Sequence, residues 1–502
     1  MRKFSIWLER AALFPLAIGL LVAYLTTMAP GLTWANGGSD GGDLIAAAAT
    51  GGIAHPTGYP TYLLIARLFQ LLPIGALAFR TNLMSALFTI SAALLVYVVV
   101  QRAIETATWV ARVGGSMVAG LAFGLAPIVW SQAIITEVYG LGVFFVALLL
   151  YLLTPATPWS WRRAAVAGLV QGLAVGNQMI AALMIPATLV CITLTSQRQP
   201  ETPASGDSSS RWRVNWRTLA ASCLGLIVGL MIYLILPLRA ASHPPVNWGD
   251  PVAPDGFAWL VSGKLYQNQL IHVDLAGSLA HLQSWASLTL QAFGILGLIA
   301  GLTGLIFFFH PSRLQFLTIW IAVAYTAFAI QYEVVDSFVY LLPTFLAFAV
   351  WIGLGVGEAV QVLARLRPGL DWILGLACVG YLVFLGAVRF PQVDVSHDLR
   401  AERFGQYVMT NAPQNAILFA RTDRVVFSLW YFHYALRTRP DLAVTANDLL
   451  PFDWYRENLS HVYPDLVLPA PSNDPWLLSV RQANPTRPAC YLYDPTTPLN
   501  CE

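Results

Sequence analysis

The sequence predicts an all-α polytopic membrane protein of about eleven transmembrane helices, with a small extracytoplasmic α/β domain at its C-terminal end. Three observations lead there. The 502 residues are 57% hydrophobic and only 11% charged, with a mean hydropathy of +0.62, far too apolar for a soluble chain of ordinary make-up. Apolar runs near the length needed to cross a bilayer recur along the chain. After residue 388 that pattern stops, and short apolar runs ("AILFA", "LAVTA", "CYLY") alternate with one helix-like stretch, "VVFSLWYFHYAL", as in a small α/β unit.

In chain order, the first helix covers 11–28. Pro30 follows the small residues where a signal peptide would be cut, so this helix is expected to stay uncleaved. The outer segment 29–81 holds a small-residue helix at 43–50, stopped by Gly51 and Gly52, and an amphipathic helix after Pro60. Proline in the first turn and glycine past the end are the expected punctuation. Helices follow at 82–101, 113–129 and 138–154, then a short pair at 164–180 and 181–196. The inner loop "SQRQPETPASGDSSSRWRVNWR" has the composition of a disordered linker with a basic end suited to an anionic leaflet. Beyond it come a helix at 218–238, a second outer segment at 239–285, and helices at 286–309 and 314–330. A short outer turn, "QYEVVDS", precedes the last two helices at 339–360 and 371–388. This divides the chain into a transmembrane domain, 1–388, with outer loops 29–81 and 239–285, and an extracytoplasmic domain, 389–502.

Net charge is only +2, which gives no reason to expect nucleic acid or a strongly acidic partner. The positions of the positive charges carry more information. With Arg2, Lys3 and Arg10 cytoplasmic, alternation puts Arg102, Arg112, Arg162, Arg163, the 198–217 linker, Arg313, Arg365 and Arg367 on that same side, as the positive-inside rule requires. The tail then lies outside. Cys191, Cys223 and Cys378 fall in apolar helices as small hydrophobes; Cys490 and Cys501 are either paired or free in an oxidising compartment. No internal repeat is visible in the membrane part, which weighs against many secondary-transporter folds.

This topology sorts the uncommon polar residues onto one face. Asp40, Asp43 and His55 lie in the first outer segment, Glu137 and Tyr139 where the third helix surfaces, and Asn177 and Gln178 at the turn between the fifth and sixth. Arg239, Asn247, Asp250, Lys264 and Tyr266 follow the seventh helix, and Asp336 and Tyr340 precede the tenth. The middles of the helices are nearly free of ionisable groups, which argues for chemistry at the outer interface and against a charge path through the midplane. Structural readings compete with functional ones. One of Asp40 and Asp43 caps the helix near 43, but one cap suffices and the three-residue spacing presents both carboxylates to one cavity. His55, before Pro56, is an extended hydrogen-bond donor or a substrate contact. Arg239 is a headgroup anchor or a bidentate phosphate ligand.

The string "GGSDGGDLIAAAATGGIAHPTGYPTYLLIARLF" and the later "RTNLMSALFT" resemble the DUF2723 family of bacterial membrane proteins, which is similar to the eukaryotic transmembrane protein 260 O-mannosyltransferases. The matching positions are Asp40, Gly42, Asp43 and Leu44, then His55, Pro56, Gly58, Tyr59 and Pro60; Thr57 replaces the usual second proline. "ITEVYGL", "GLAVGNQ", "LPLRAASHPPVNWGDP", "SGKLY" and "DSFVYLLPTFLA" continue the likeness, with Gln178 where many relatives have His. It spans about residues 25–355 and, more loosely, the tail.

The resemblance implies a GT-C-like fold in a bacterial inner (plasma) membrane. The implied reaction moves a mannose-like sugar from a polyprenyl-phosphate donor to a protein or glycan acceptor on the outer side. Asp40 is then the general base, with Asp43 orienting it or exchanging roles with it. Arg239, helped by Lys264, would stabilise the departing phosphate. The isoprenoid tail would lie in a lipid-facing groove, and His55, Tyr59 and Tyr266 would shape the sugar pocket together with Glu137, Tyr139, Asn177, Gln178, Trp248, Asp250, Asp336 and Tyr340. A single displacement of this kind inverts the anomeric centre. A divalent ion, Mg or Mn, on Asp40, Asp43 and Glu137 is left open, because hard cations take oxygen ligands but no residue spacing establishes one. Two other readings stand beside this one: a lipid-linked sugar flippase without catalysis, and an assembly protein whose tail binds a cell-wall partner.

Overall fold

The computed structural model describes residues 9, 11–105, 107–154, 159–193, 215–270, 273–307, 312–469 and 475–502. Arg2, Lys3, Arg10 and most of the inner linker at 196–217 lie outside the described residues. Each of the eleven apolar segments contains a helix. By length and composition six helices are able to cross a membrane, seven if the pair Trp109–Gly124 and Pro127–Ala133, bent by 64°, counts as one span. Leu13–Thr27, Tyr139–Leu153 and Met179–Thr193 are apolar but shorter. The protein is thus a multi-pass membrane protein, with fewer full-length spans among the described residues than the eleven expected. Hydropathy runs on through points where helical geometry stops, such as the break before Pro127 and the extended Gln178 that ends Trp161–Asn177.

The span Ser337–Leu366 stands at the centre, with 94% of its apolar window buried. Small residues let its neighbours approach backbone to backbone. A Cβ added at Gly304 would stand 1.9 Å from the Trp351 carbonyl oxygen, and one at Gly355 2.0 Å from that of Ala300. Trp161–Asn177 and Trp216–Leu230 form a second close pair, in which a Cβ at Gly168 would meet the Ser222 carbonyl at 2.0 Å and one at Gly225 the Ala165 carbonyl at 2.1 Å. At the expected inner end, Arg163 and Arg313 lie over the Trp159 ring at 4.3 and 5.7 Å.

The segments expected on the outer side are stitched together. Helix Gly41–Thr50 ends at Gly51, whose φ of 71° turns the chain back. The Ile53 amide then donates to the Val246 carbonyl at 2.8 Å, making a parallel bridge between the first and second outer segments. Leu270 bridges Tyr332, and the Glu333 amide donates to the Gln269 carbonyl at 3.0 Å, tying the second segment to the third.

The tail forms a four-stranded sheet of order β2-β1-β3-β4, with β1 Ile417–Ala420, β2 Ala443–Ala446, β3 Ala489–Leu492 and β4 Asn500–Cys501. The first three strands are parallel, as a chain that crosses over through helices requires; β4 is antiparallel and carries the Cys490–Cys501 disulfide. The boundary expected at 388 falls inside helix Asp371–Val393. The tail shares one hydrophobic core with the outer loops: Ile45, Tyr62 and Trp248 pack in the same cluster as Phe427, Trp430 and Leu459.

Candidate active site

The first turn of helix Gly41–Thr50 and the loop behind it create a row of three ionisable groups. Asp43 is fully buried. Its Oδ2 accepts the His55 backbone N–H at 3.0 Å and the His55 Nδ1–H at 2.7 Å, while its Oδ1 accepts the Trp248 indole N–H at 3.0 Å. Asp43 is therefore a buried acceptor of three bonds that fixes the imidazole. On the other edge of the ring, His55 Nε2 lies 3.5 Å from Asp40 Oδ2, and the Asp40 side chain is 36% exposed. That exposure decides which carboxylate can meet a substrate. Asp40 precedes the helix without capping it through its side chain.

The two partners polarise one another. Burial opposes a charged His55, but Asp40, the Asp43 hydrogen bond and the Asp43 charge outweigh it and lift the imidazole to about 9. Burial raises Asp40 to about 6; His55 pulls it down, and Asp423, Asp43 and Asp336 push it up. Asp40 thus borders a recess, largely surrounded by protein yet open on one side.

Tyr59 frames the row. Its φ of +42° is in the left-handed region, a conformation costing a non-glycine residue about 1–3 kcal/mol. It is held between the Gly58 N–H to His55 carbonyl bond and Pro60, the first residue of the next helix. Its ring meets the His55 ring edge-on at 4.9 Å. Glu137 is buried, which pushes it well above the usual carboxylate range, with Asp40 and Asp336 adding to the effect. Burial also raises Asp336. Tyr266 is within the electrostatic reach of Asp40, Asp423 and Asp43. Tyr139 and Tyr340 meet at right angles, 6.0 Å apart, and with Gln178 line a slot of about 20 Å³ running down beside Tyr325. Asn177 donates to the Val138 carbonyl at 3.2 Å, behind Glu137.

Other expected residues stand apart from the row. Asp250 accepts from Asn247 Nδ2 at 3.0 Å and serves the left-handed Gly249–Asp250 turn that presents Trp248. Lys264 is exposed at the start of the turn Lys264–Gln269. Arg239 lies near Arg67, whose guanidinium donates to the Ala49 carbonyl at the far end of the small-residue helix. Its Nη1 is buried without a protein partner. Among the described residues no ion pair joins Arg239 or Lys264 to the carboxylates, and no group of three His, Cys, Asp or Glu side chains is arranged to hold a metal ion. His55 stands between Asp40 and Asp43. A larger cavity of about 700 Å³, lined by His281, Ser284, Trp285, Val335 and Ser337 among others, opens beside Asp336 and includes none of the expected site residues.

The sequence reading missed the tail's contribution. Phe427 stacks on the His55 ring at 6.3 Å and 15°, and a Cβ at Gly42 would meet the Phe427 carbonyl oxygen at 2.1 Å. Asp423, the first residue of helix Asp423–Trp430, acts on both His55 and Asp40. Its only local signal is an acid at the C-terminal end of a strand, "LFARTD".

Comparison with known proteins follows the same two regions. Residues 40–202 match the family model of the Protein O-mannosyl-transferase TMEM260 N-terminal domain, and residues 401–466 that of TMEM260-associated domain 2. The chain is 26% identical to the mouse Protein O-mannosyl-transferase TMEM260 over 470 residues, covering 86% of this chain and 62% of the relative. It is 20% identical to the Dictyostelium discoideum protein of the same name, covering 93% and 61%. It therefore spans less than two thirds of the length of these relatives. In fold it is similar to ArnT from Cupriavidus metallidurans bound to undecaprenyl phosphate, with a TM-score of 0.62, 14% identity, and coverage of 96% of this chain and 92% of that one. It is also similar to the apo Archaeoglobus fulgidus oligosaccharyltransferase, with a TM-score of 0.53, 11% identity, and coverage of 91% and 68%. The expected resemblance is borne out: the chain is related to the TMEM260 protein O-mannosyl-transferases through both of these domains and has a GT-C-like fold.

Proposed function

We propose that this protein is a membrane glycosyltransferase that moves a mannose-like sugar from a polyprenyl-phosphate carrier to an acceptor hydroxyl on the outer side of the membrane. The observation that carries this reading is the Asp43–His55–Asp40 row, in which Asp43 spends all its bonds on orientation and Asp40 keeps an open edge. A base titrating at about 6 is suited to work near neutral pH. Asp40 takes the proton of the acceptor hydroxyl as that oxygen attacks the anomeric carbon. The bond from that carbon to the phosphate oxygen breaks, and the pair of electrons leaves with the polyprenyl phosphate. A single displacement inverts the anomeric centre. His55, held cationic between two carboxylates, keeps Asp40 ionised and aimed.

Arg239, which stands apart from the row, is the group we propose for recruiting the donor through its phosphate, because its Nη1 is buried and free of protein partners and a guanidinium matches phosphate in planar geometry; no residue beside Asp40 is assigned to the departing phosphate. Lys264, exposed nearby in sequence, would assist. At about 20 Å³ the slot beside Tyr139, Gln178 and Tyr340 has room for about one water molecule, so no part of the donor is assigned to it. No step is assigned to a metal ion. That ArnT was captured with undecaprenyl phosphate supports a carrier of this chemistry, and the mouse relative's name supports a protein acceptor. The outer orientation and the bacterial inner membrane rest on the charge distribution and the sequence resemblance.

The test is transfer of labelled mannose from a polyprenyl-phosphate donor to acceptor peptides by the purified protein in detergent. Transfer by the wild type, lost in Asp40→Asn, is expected. Movement of the donor between leaflets of a vesicle without any transfer would replace this reading with that of a flippase.

A further inference from the structure

Helix Asp423–Trp430 of the C-terminal unit packs against the Asp43–His55–Asp40 row. Phe427 and Asp423 are four residues apart, so they share a helix face, and Phe427 is the residue stacked on His55. The helix is seated closely: Gly42 leaves room for the Phe427 carbonyl, and the Trp34 indole N–H donates to Ser428 Oγ at 3.0 Å. Thr422, at φ +70°, turns the chain out of β1 so that Asp423 begins the helix. Asp423 then acts on groups from two other outer segments, Asp40 and His55 on the first and Tyr266 on the second. One turn beyond Phe427's neighbours, Trp430 is 2% exposed and its indole N–H has no protein partner. The ionisable groups facing Asp40 are His55, Asp43, Asp336, Glu137 and Asp423, together with the phenols of Tyr59, Tyr139, Tyr266 and Tyr340. Behind Asp423, Asp448 is paired with Arg421 at 3.2 Å. His55 is thus the cation of this group, and it is already shared between two carboxylates.

We propose that Asp423 is an acceptor-specificity residue, so that the C-terminal unit completes the recess and favours peptides whose reacting hydroxyl is flanked by basic rather than acidic residues. The proposal rests on the glycosyltransferase reading and names its acceptor class. The donor reaches the recess from the membrane, whereas the Asp423 helix belongs to the C-terminal unit expected on the outer side, from which a peptide arrives. A flanking carboxylate would meet Asp423, Asp336 and Asp40 together, and like charges brought close in an interface are costly. A flanking lysine or arginine would be drawn in.

The experiment is direct binding of fluorescent serine peptides to the full-length protein in detergent, with Lys, Ala or Glu on either side of the serine. The Lys-flanked peptide is expected to bind about tenfold more tightly than the Glu-flanked one at low salt, with the ratio shrinking as salt rises. Asp423→Asn should cut that ratio to about threefold or less, and Asp423→Glu should restore it. Equal binding of all three peptides, or an unchanged ratio in Asp423→Asn, overturns the proposal. These results do not depend on turnover. Absence of transfer by the wild type, with the binding preference intact, would overturn the catalytic reading alone.

Discussion

Where helices Trp161–Asn177 and Trp216–Leu230 meet, glycines set backbone against backbone, and a single added Cβ would fall about 2 Å from a carbonyl oxygen. A few turns away, at the recess, contact is made by side chains with opposite charges and directed hydrogen bonds. The first region is specified by volume and indifferent to charge. The second is specified by charge and bond direction, and its backbone geometry, strained at Tyr59, serves to aim them. The two regions should therefore fail differently, and mutations that exchange the failures would break the comparison.

The largest effect is expected from Asp40→Asn, which keeps shape and removes the base. Transfer should fall by about 10²–10⁴-fold, the usual worth of a general base, in protein that still folds; near-normal turnover would remove Asp40 from the mechanism. Asp43→Ala should fail in both ways, because it strands the Trp248 indole and His55 in the interior. A loss of about 3–5 kcal/mol is expected for breaking such a buried charged pair, read from thermal unfolding in detergent. In the bundle, Gly225→Leu should cost about 1–3 kcal/mol through overpacking, while the folded fraction keeps its specific activity. If that activity fell with stability, the two regions would be coupled more tightly than their construction suggests.

A finer test uses pH. The folded His55 titrates at about 9, above its ordinary 6.5, so its stabilising contribution is complete below about 6.5 and is lost as pH rises through about 9. The unfolding temperature should decline across that window, and His55→Gln should flatten the decline. Transfer should rise as Asp40 loses its proton near 6 and fall as His55 loses its own. A flat profile between pH 5 and 10 would dissolve the link between the row and turnover. The smallest effect is expected from Arg239→Lys, which keeps the charge and loses the planar fork: KM for the donor should rise several-fold while KM for the acceptor stays put.

Much of this was legible in the sequence because its causes are local. Pro60 and Gly51 mark helix ends by their own backbone limits, and the three parallel strands follow the short apolar runs of the tail. The spacing of Asp40 and Asp43 led to the expectation that both face one cavity, whereas Asp43 is fully buried and only Asp40 keeps an open edge. That spacing did not announce that His55, twelve positions beyond Asp43, would stand between them, since the chain has to turn back after helix Gly41–Thr50 first. The span count exceeded the full-length spans because one apolar segment bends before Pro127 and four others, Leu13–Thr27, Tyr139–Leu153, Trp161–Asn177 and Met179–Thr193, form helices shorter than a full span. Asp423 was invisible for the same kind of reason: its neighbours Asp40 and His55 are more than three hundred and sixty positions away, and nothing in "ARTDRVVF" distinguishes it from a helix-starting acid. Asp250 illustrates the converse, a polar residue in a matching motif that is consumed by its own turn.

The bridges Ile53–Asn247 and Leu270–Tyr332 have a practical corollary for anyone who wishes to move this chemistry elsewhere. They close loops of nearly two hundred and of sixty-two residues, so the cradle comes into being only after most of the polypeptide has been synthesised and inserted. A fragment ending at residue 202 would carry Asp40, Asp43 and His55 but would lack the indole that fastens them. Transplanting the reaction therefore means transplanting the lacing between the extramembrane segments, and a nascent chain released before Tyr332 should be inert however well its helices have inserted.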